Sequence, residues 1–219
     1  MIDVVIFASP GRDEAHRRMF GSVEASDIGK RYTVSMHPEG KTAFEHWRDT
    51  HLLASRSKEE FVLVLEDDVL VNRFIVSNLE TWHWKWHKDF GGGWAYNPGA
   101  YSQKDVWYRG AKPWAMTPGV LYRTRDLPGL IDIAWRKMTE GLVWDCSMAW
   151  ACESNGKRIR VHYPSLVEHL NDLPSKLGNP NKTAIRTSRG TFDVGWRRPK
   201  DDPHAHVDQY GRVRSVTSR

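Results

Sequence analysis

Glu66, Asp67 and Asp68 stand side by side directly after the apolar run Phe61-Val62-Leu63-Val64-Leu65. Three adjacent carboxylates repel one another, and holding them at the end of a buried strand costs folding energy unless a cation or basic ligand neutralises them. A divalent metal is the economical neutraliser. Hard Mg2+ or Mn2+ needs only one or two protein carboxylates and fills its other positions with water and phosphate oxygens. The competing reading is a solvated acidic turn that caps the next helix. Arg12 and Arg17, after the first apolar run, could pair with phosphate, although an arginine at a helix start is commonly only solvated. Neither a Walker motif nor a GxGxxG fingerprint is present.

These residues need a frame. Residues 2–8 read as a buried strand ended by the turn signal Ser9-Pro10-Gly11. Residues 13–23 suit a helix, residues 32–36 alternate like a second strand, and Ala43, Phe44, Trp47, His51 and Leu52 collect on one stripe of a longer helix. Residues 61–65 lack alternation and are bounded by charge, the pattern of a central strand buried on both faces. Phe74, Ile75, Asn78, Leu79 and Trp82 trace another helical face, and Gly91-Gly92-Gly93 breaks the chain into a loop that extends to about residue 113. A strand is expected within 115–122, followed by a helix capped by Asp126 that carries Leu130, Ile131, Ala134 and Met138. A last helix is expected over 146–155, with Asp145 as its cap and Gly156 at its end. A strand over 158–163 and a loop over 164–169 follow.

Strands alternating with helices argue for an α/β fold with a mostly parallel central sheet, in which ligands sit beyond the C-terminal ends of strands. That arrangement puts Ala8-Ser9-Pro10 and Glu66-Asp67-Asp68 on one rim. The domain is expected to run over residues 1–180. Residues 181–219, polar and basic, read as an extension that packs on the domain or is partly flexible.

Two segments carry a family resemblance. Phe61-Val62-Leu63-Val64-Leu65-Glu66-Asp67-Asp68-Val69 resembles the strand and DXD-type motif of GT-A glycosyltransferases, in its LEDD form. Tyr163-Pro164-Ser165-Leu166-Val167-Glu168-His169, with Ser175-Lys176-Leu177-Gly178 downstream, resembles the PSLVQH segment and the following Ser-x-Leu-Gly of such transferases. The resemblance spans roughly residues 1–180 in order, with close matches only in these two segments. It implies a GT-A-like, Rossmann-related domain, a nucleotide-sugar donor (a UDP-sugar by family habit) and a divalent cation on the donor diphosphate. Carried over, Asp68 is a metal ligand, Glu66 or Asp67 the assisting acid at metal or ribose, and His169 a further metal ligand. Ser175 or Lys176 lies near the phosphates, and Ala8, Ser9, Pro10 and Arg12 belong to the nucleotide cradle. An imidazole in the ligand set favours Mn2+ over Mg2+. In inverting members a carboxylate before a helix takes the acceptor proton, and Asp145 matches that placement; its competing role is a helix N-cap. Glu140 and Asp132 fall inside or beside an amphipathic helix and are poorer bases.

Composition bounds the rest. The chain has 219 residues, 40% of them hydrophobic, enough for one large α/β domain. No apolar run approaches the ~18 residues of a membrane span, and residues 4–8 are too short for a signal peptide, so a soluble, cytoplasmic protein is expected, in the host cytoplasm if viral. Cys146 and Cys152 in one helix would be ~9 Å apart, beyond the ~7 Å reach of a disulfide, and are expected to remain thiols. A formal charge of +5 and a pI near 9.2 favour anionic partners. Small, basic transferases of this kind resemble phage-type enzymes that decorate hydroxymethylated pyrimidines in DNA, and the stretch Trp82-His83-Trp84-Lys85-Trp86-His87 could stack an extruded base or a sugar. A lipopolysaccharide or other surface glycan is the alternative acceptor. A noncatalytic nucleic-acid-binding protein would leave the acidic trio unexplained, and a metal-dependent nuclease or phosphotransferase would need further converging acids, for which only Asp3, Asp126 and Asp145 are on offer.

Overall fold

Two apolar runs make the centre of a sheet. The structure, a computed structural model, describes residues 1–96, 106–108, 118–170, 192–198, 206–207 and 213–214. Ile2–Ala8 forms β1, followed by α1 (Asp13–Glu24), β2 (Thr33–Met36) and α2 (Ala43–Ala54). Helix α2 begins on a capping box: Glu45 N–H donates to Thr42 Oγ1, and Thr42 N–H donates back to the Glu45 carboxylate. Phe61–Glu66 forms β3, then β4 (Val69–Val71), α3 (Ile75–Glu80), β5 (Phe90–Trp94), β6 (Val106–Tyr108) and β7 (Gly119–Arg123). Helices α4 (Leu127–Thr139) and α5 (Trp144–Ser154) lead to β8 (Arg158–Val161) and β9 (Val167–His169), and β10 (His206–Val207) pairs with β11 (Val213–Arg214).

The main sheet has the order β2-β1-β3-β7-β5-β8-β6. Strands β1, β2, β3, β5 and β8 run one way and β6 and β7 the other, so the sheet is mixed and mostly parallel in direction. Period-two alternation sorts its side chains to two faces. Val4, Ile6, Leu63, Leu65 and Leu121 pack toward Met19 and Val23 of α1 and Ile75 and Leu79 of α3. Val5, Val62, Val64, Val120 and Tyr122 pack toward Trp47 of α2, Leu130 and Ile131 of α4 and Met148 of α5. Each such buried aliphatic contributes about 1.5–3 kcal/mol of burial, which makes β3, covered on both faces, the rigid base of whatever follows it.

Four local expectations change. Gly91-Gly92-Gly93 lies inside strand β5 rather than in a loop, and all three are buried. The glycines are needed for close packing: a Cβ on Gly93 would stand 2.3 Å from the Trp82 ring, and one on Gly91 2.7 Å from Lys157 Cβ. Helix α5 starts at Trp144 with Val143 as its N-cap, so the residue-145 backbone already belongs to the first turn and Asp145 is not the cap. Asp126 precedes α4 in an αR conformation with no side-chain cap bond, and its carboxylate meets Lys157 Nζ at 3.3 Å instead. The fourth change is at the end of the PSLVEH segment, where residues 167–169 form β9, antiparallel to β4, rather than a loop. Cys146 and Cys152 are buried thiols in α5, and burial pushes the Cys152 thiol up to about 12.

Residues 192–198 contact the end of β4 and helix α3. Asn72 Nδ2 donates to the carbonyls of Asp193 (2.6 Å) and Trp196 (2.9 Å), and Arg198 N–H donates to Asn78 Oδ1 at 2.9 Å. Residues 192–198 are thereby fastened beside the end of β4. No helix among the described residues is long and apolar enough to cross a membrane.

Candidate metal centre

The rim forms where β1 and β3 end together. Their register pairs Phe7 with Glu66, so the chain leaves β1 through Ala8-Ser9-Pro10 beside the point where β3 releases Asp67 and Asp68. The element after the acidic trio is strand β4, and the first-turn amides of the next helix, α3, at Val76 and Ser77, donate to Asp27 rather than to the trio. Asp67 and Asp68 are 2% and 6% exposed, which removes the solvated helix-capping turn as an explanation.

The short β4–β9 ribbon carries His169 to the trio. Val69 pairs with His169, and Leu170 N–H donates to the Asp68 carbonyl at 2.7 Å. His169 Nε2 then stands 3.3 Å from Asp68 Oδ2, although the two residues are 101 positions apart. One ligand atom each from Glu66, Asp68 and His169 lie within 4.8 Å of one another. Two carboxylates and one imidazole suit Mn2+ and related divalent ions. Asp68 Oδ1 is buried and has no hydrogen-bond partner among the described residues, an oxygen that a cation would satisfy. The residues present therefore fit a divalent ion.

The two aspartates differ in their partners. Asp67 accepts from Ser9 N–H at 2.7 Å and His16 Nε2 at 2.9 Å through Oδ2, and from Arg12 Nη1 at 2.6 Å through Oδ1. It ties the loop after β1, and the start of α1, to the end of β3. Asp68 receives Arg12 Nη2 at 2.8 Å on Oδ2. Burial works to raise the Asp68 carboxyl, but the hydrogen bond and charge of His169 and the charge of Arg12 outweigh it and hold the group below the usual carboxylate range. Burial likewise works against the Arg12 guanidinium, and the facing Asp68 and Asp67 carboxylates keep it firmly protonated.

Of the expected site residues, the structure brings Ala8, Ser9, Arg12, Glu66, Asp67, Asp68 and His169 to one rim. Pro10 lies exposed in the same loop. Asp145 is the second residue of α5, after Trp144, whose ring meets Phe7 of β1 edge-on at 6.1 Å. Ser175 and Lys176 lie outside the described residues. Arg17 is an exposed partner of Glu14 on the surface of α1 and takes no part in the cluster. His16 carries no motif signal; its clue is a spacing of four from Arg12, one helical turn, which puts both on the face of α1 that meets Asp67.

The aromatic stretch after α3 lies elsewhere. Trp82 is fully buried in the core, and Trp86 packs edge-on against Phe61 at 5.1 Å, at the opposite end of β3 from the acidic trio. These two tryptophans are no stacking platform for a ligand at the rim. Among the described residues, aromatic rings near the rim include Phe7, Phe44 and Trp144, with Phe44 42% exposed and 5.7 Å from Trp144.

No protein-family model matches the chain, and no curated protein matches it in sequence. Among solved structures it is similar to S. aureus TarS 1-349, at a TM-score of 0.48 and 14% identity. The match covers 74% of this chain and 58% of that one, so the chain spans little more than half the length of the structure it resembles. Likeness at that level bears on neither reaction nor substrate, and what the chain can do is read from the residues of its rim.

Proposed function

We propose that the chain is a metal-dependent glycosyltransferase of GT-A type that moves a hexose from a nucleotide sugar, with UDP as its nucleotide, to an acceptor hydroxyl. The observation that carries this reading is the convergence of Glu66, Asp68 and His169 at the C-terminal end of a buried central strand. Glu66, Asp68 and His169 would hold the ion, Mn2+ in preference to Mg2+, which when bound supplies positive charge to the donor diphosphate. Arg12 adds a second cation beside it, and the Ser9-Pro10 loop held by Asp67 lines the same approach.

In this reading the acceptor oxygen attacks the anomeric carbon, the bond from that carbon to the diphosphate oxygen breaks, and its electron pair leaves with the nucleotide diphosphate. Asp145, whose backbone lies in the first turn of α5, takes the proton of the attacking hydroxyl, a role that rests on the family resemblance. Ser175 and Lys176 are proposed to flank the phosphates on the family resemblance alone. A positive net charge favours an anionic acceptor. A hydroxymethylated pyrimidine of phage DNA is the first candidate and a lipopolysaccharide or other surface glycan the second; Phe44 and Trp144 offer either a flat partner.

The test is incubation with labelled nucleotide sugars and MnCl2, alone and with hydroxymethylated DNA or glycan. Slow Mn2+-dependent release of sugar from the donor is expected without acceptor, and incorporation into one of the two with it. Cleavage of DNA or of a phosphoester without sugar transfer would replace this reading with a nuclease or phosphotransferase.

A further inference from the structure

Arg12 already bonds a carboxylate that a metal ion would need. Its Nη2 lies 2.8 Å from Asp68 Oδ2, the same oxygen that faces His169 Nε2 at 3.3 Å. Its Nη1 lies 2.6 Å from Asp67 Oδ1, and the side chain is only 13% exposed. One guanidinium thus bridges both aspartates, one positive charge against two negative. The remaining oxygen of Asp68 is buried and unclaimed among the described residues, so the internal cation satisfies the pair incompletely.

We infer that Arg12 is an exchangeable counter-ion: a divalent cation entering between Asp68 and His169 displaces its Nη2, and the guanidinium, still held by Asp67, turns to the incoming diphosphate. This rests on the cation site proposed above and adds an order to it, metal before diphosphate. The physical reason is crowding of like charge. Oδ2 is already shared by Arg12 and His169, and a doubly charged ion within ~4 Å of a guanidinium repels it strongly in a site shielded from water. The hold on Asp67 makes the motion a pivot rather than a release, because Nη1 keeps its short, charge-assisted bond to a buried, fully partnered carboxylate. Gly11, at φ 70°, sits beside the pivot in the left-handed region that glycine enters without strain. Until the ion arrives, the guanidinium is committed to carboxylates and unavailable to phosphate; afterwards its fork geometry matches phosphate oxygens.

Two measurements test this on the full chain. In calorimetric titration with MnCl2 alone, Arg12→Met is expected to bind Mn2+ about tenfold more tightly than wild type, the worth of one charge-assisted hydrogen bond, and inorganic pyrophosphate at saturating Mn2+ about tenfold more weakly. Arg12→Lys, whose single ammonium cannot span both carboxylates, is expected to move both affinities the same way by less, and serves if Arg12→Met does not fold. The second is nitrogen-15 NMR of the wild-type guanidinium groups under Mg2+ titration, in which the Arg12 Nη signals, restrained by two carboxylates, should lose that restraint as the site fills. Mn2+ binding of equal strength in all three proteins, or Arg12 signals unchanged at saturating Mg2+, would overturn the exchange while leaving the cation site intact. Absence of Mn2+ binding in every protein, with and without pyrophosphate, would remove the cation site and the exchange with it.

Discussion

Strand β3 has buried charge at both ends, resolved in different ways. At its start, Lys85 lies 5.8 Å from the Phe61 ring and donates to the Glu80 carbonyl, while Arg123 Nη2 donates to the Lys85 carbonyl at 2.6 Å. Both cations end chiefly on backbone carbonyls, with a longer 3.8 Å contact from Arg123 Nη1 to the Asp126 carboxylate, and the result is a seal over the core. At its finish, two carboxylates end on Arg12 just ahead of α1, His16 in α1 and His169 in β9, and one acid oxygen has no partner among the described residues. A buried charge satisfied by carbonyls holds chain together. A buried charge satisfied by side chains from separate elements, with an atom to spare among the described residues, is a place where a ligand can exchange.

The same contrast separates the neighbours Asp67 and Asp68, and mutation should pull it apart. Asp67→Ala strands Arg12, His16 and the Ser9 amide together; a loss of about 3–5 kcal/mol in urea unfolding is expected, the cost of breaking a buried pair by removing one partner. Asp68→Asn keeps the shape but not the charge. Mn2+-dependent turnover should fall by about a hundredfold or more, with a smaller loss of stability than Asp67→Ala. Equal stability losses at both positions, with turnover retained in Asp68→Asn, would erase the distinction. Between these ends, Gly93→Ala drives a methyl into Trp82 and should cost about 1–3 kcal/mol without changing metal affinity, a control for purely structural damage.

The smallest effects are in pH, and they have opposite location. Burial lowers Lys85 to about 8. Between about pH 8 and about 10.4 the unfolded chain binds a proton that the folded chain has lost, so stability rises with pH across that window. Asp68 is held below its ordinary value of about 4, so its contribution is complete above that value and is lost as the pH falls below it. In pH-dependent thermal unfolding Lys85→Met should lack the alkaline rise and Asp68→Asn part of the acid loss.

Legibility in the sequence followed the range of the forces involved. Strand β3 and the acidic trio were readable because an uninterrupted apolar run meeting charge is a local pattern, and helix α2 was readable from its stripe. His169 was singled out by resemblance; its route to Asp68 was not visible, because β4 and β9 have three residues each and too few positions to show a period. The glycine triplet misled for a related reason. Its turn signal is local, while the cause of its strand, a tryptophan seated where a Cβ would be, is a tertiary contact. Helix α5 begins two residues earlier than expected since Val143 is not a polar cap. The linkage of Ser9, Arg12 and His16 through Asp67 joins residues more than fifty positions apart and leaves no pattern in the chain.

The most direct measurement is anomalous diffraction at the manganese edge from a crystal of the protein soaked in MnCl2. One peak about 2.0–2.3 Å from a carboxylate oxygen of Asp68 and from His169 Nε2, with Glu66 beside it, is the predicted result. A peak elsewhere on the molecule, with Arg12 still bridging Asp67 and Asp68 in the soaked crystal, would contradict it.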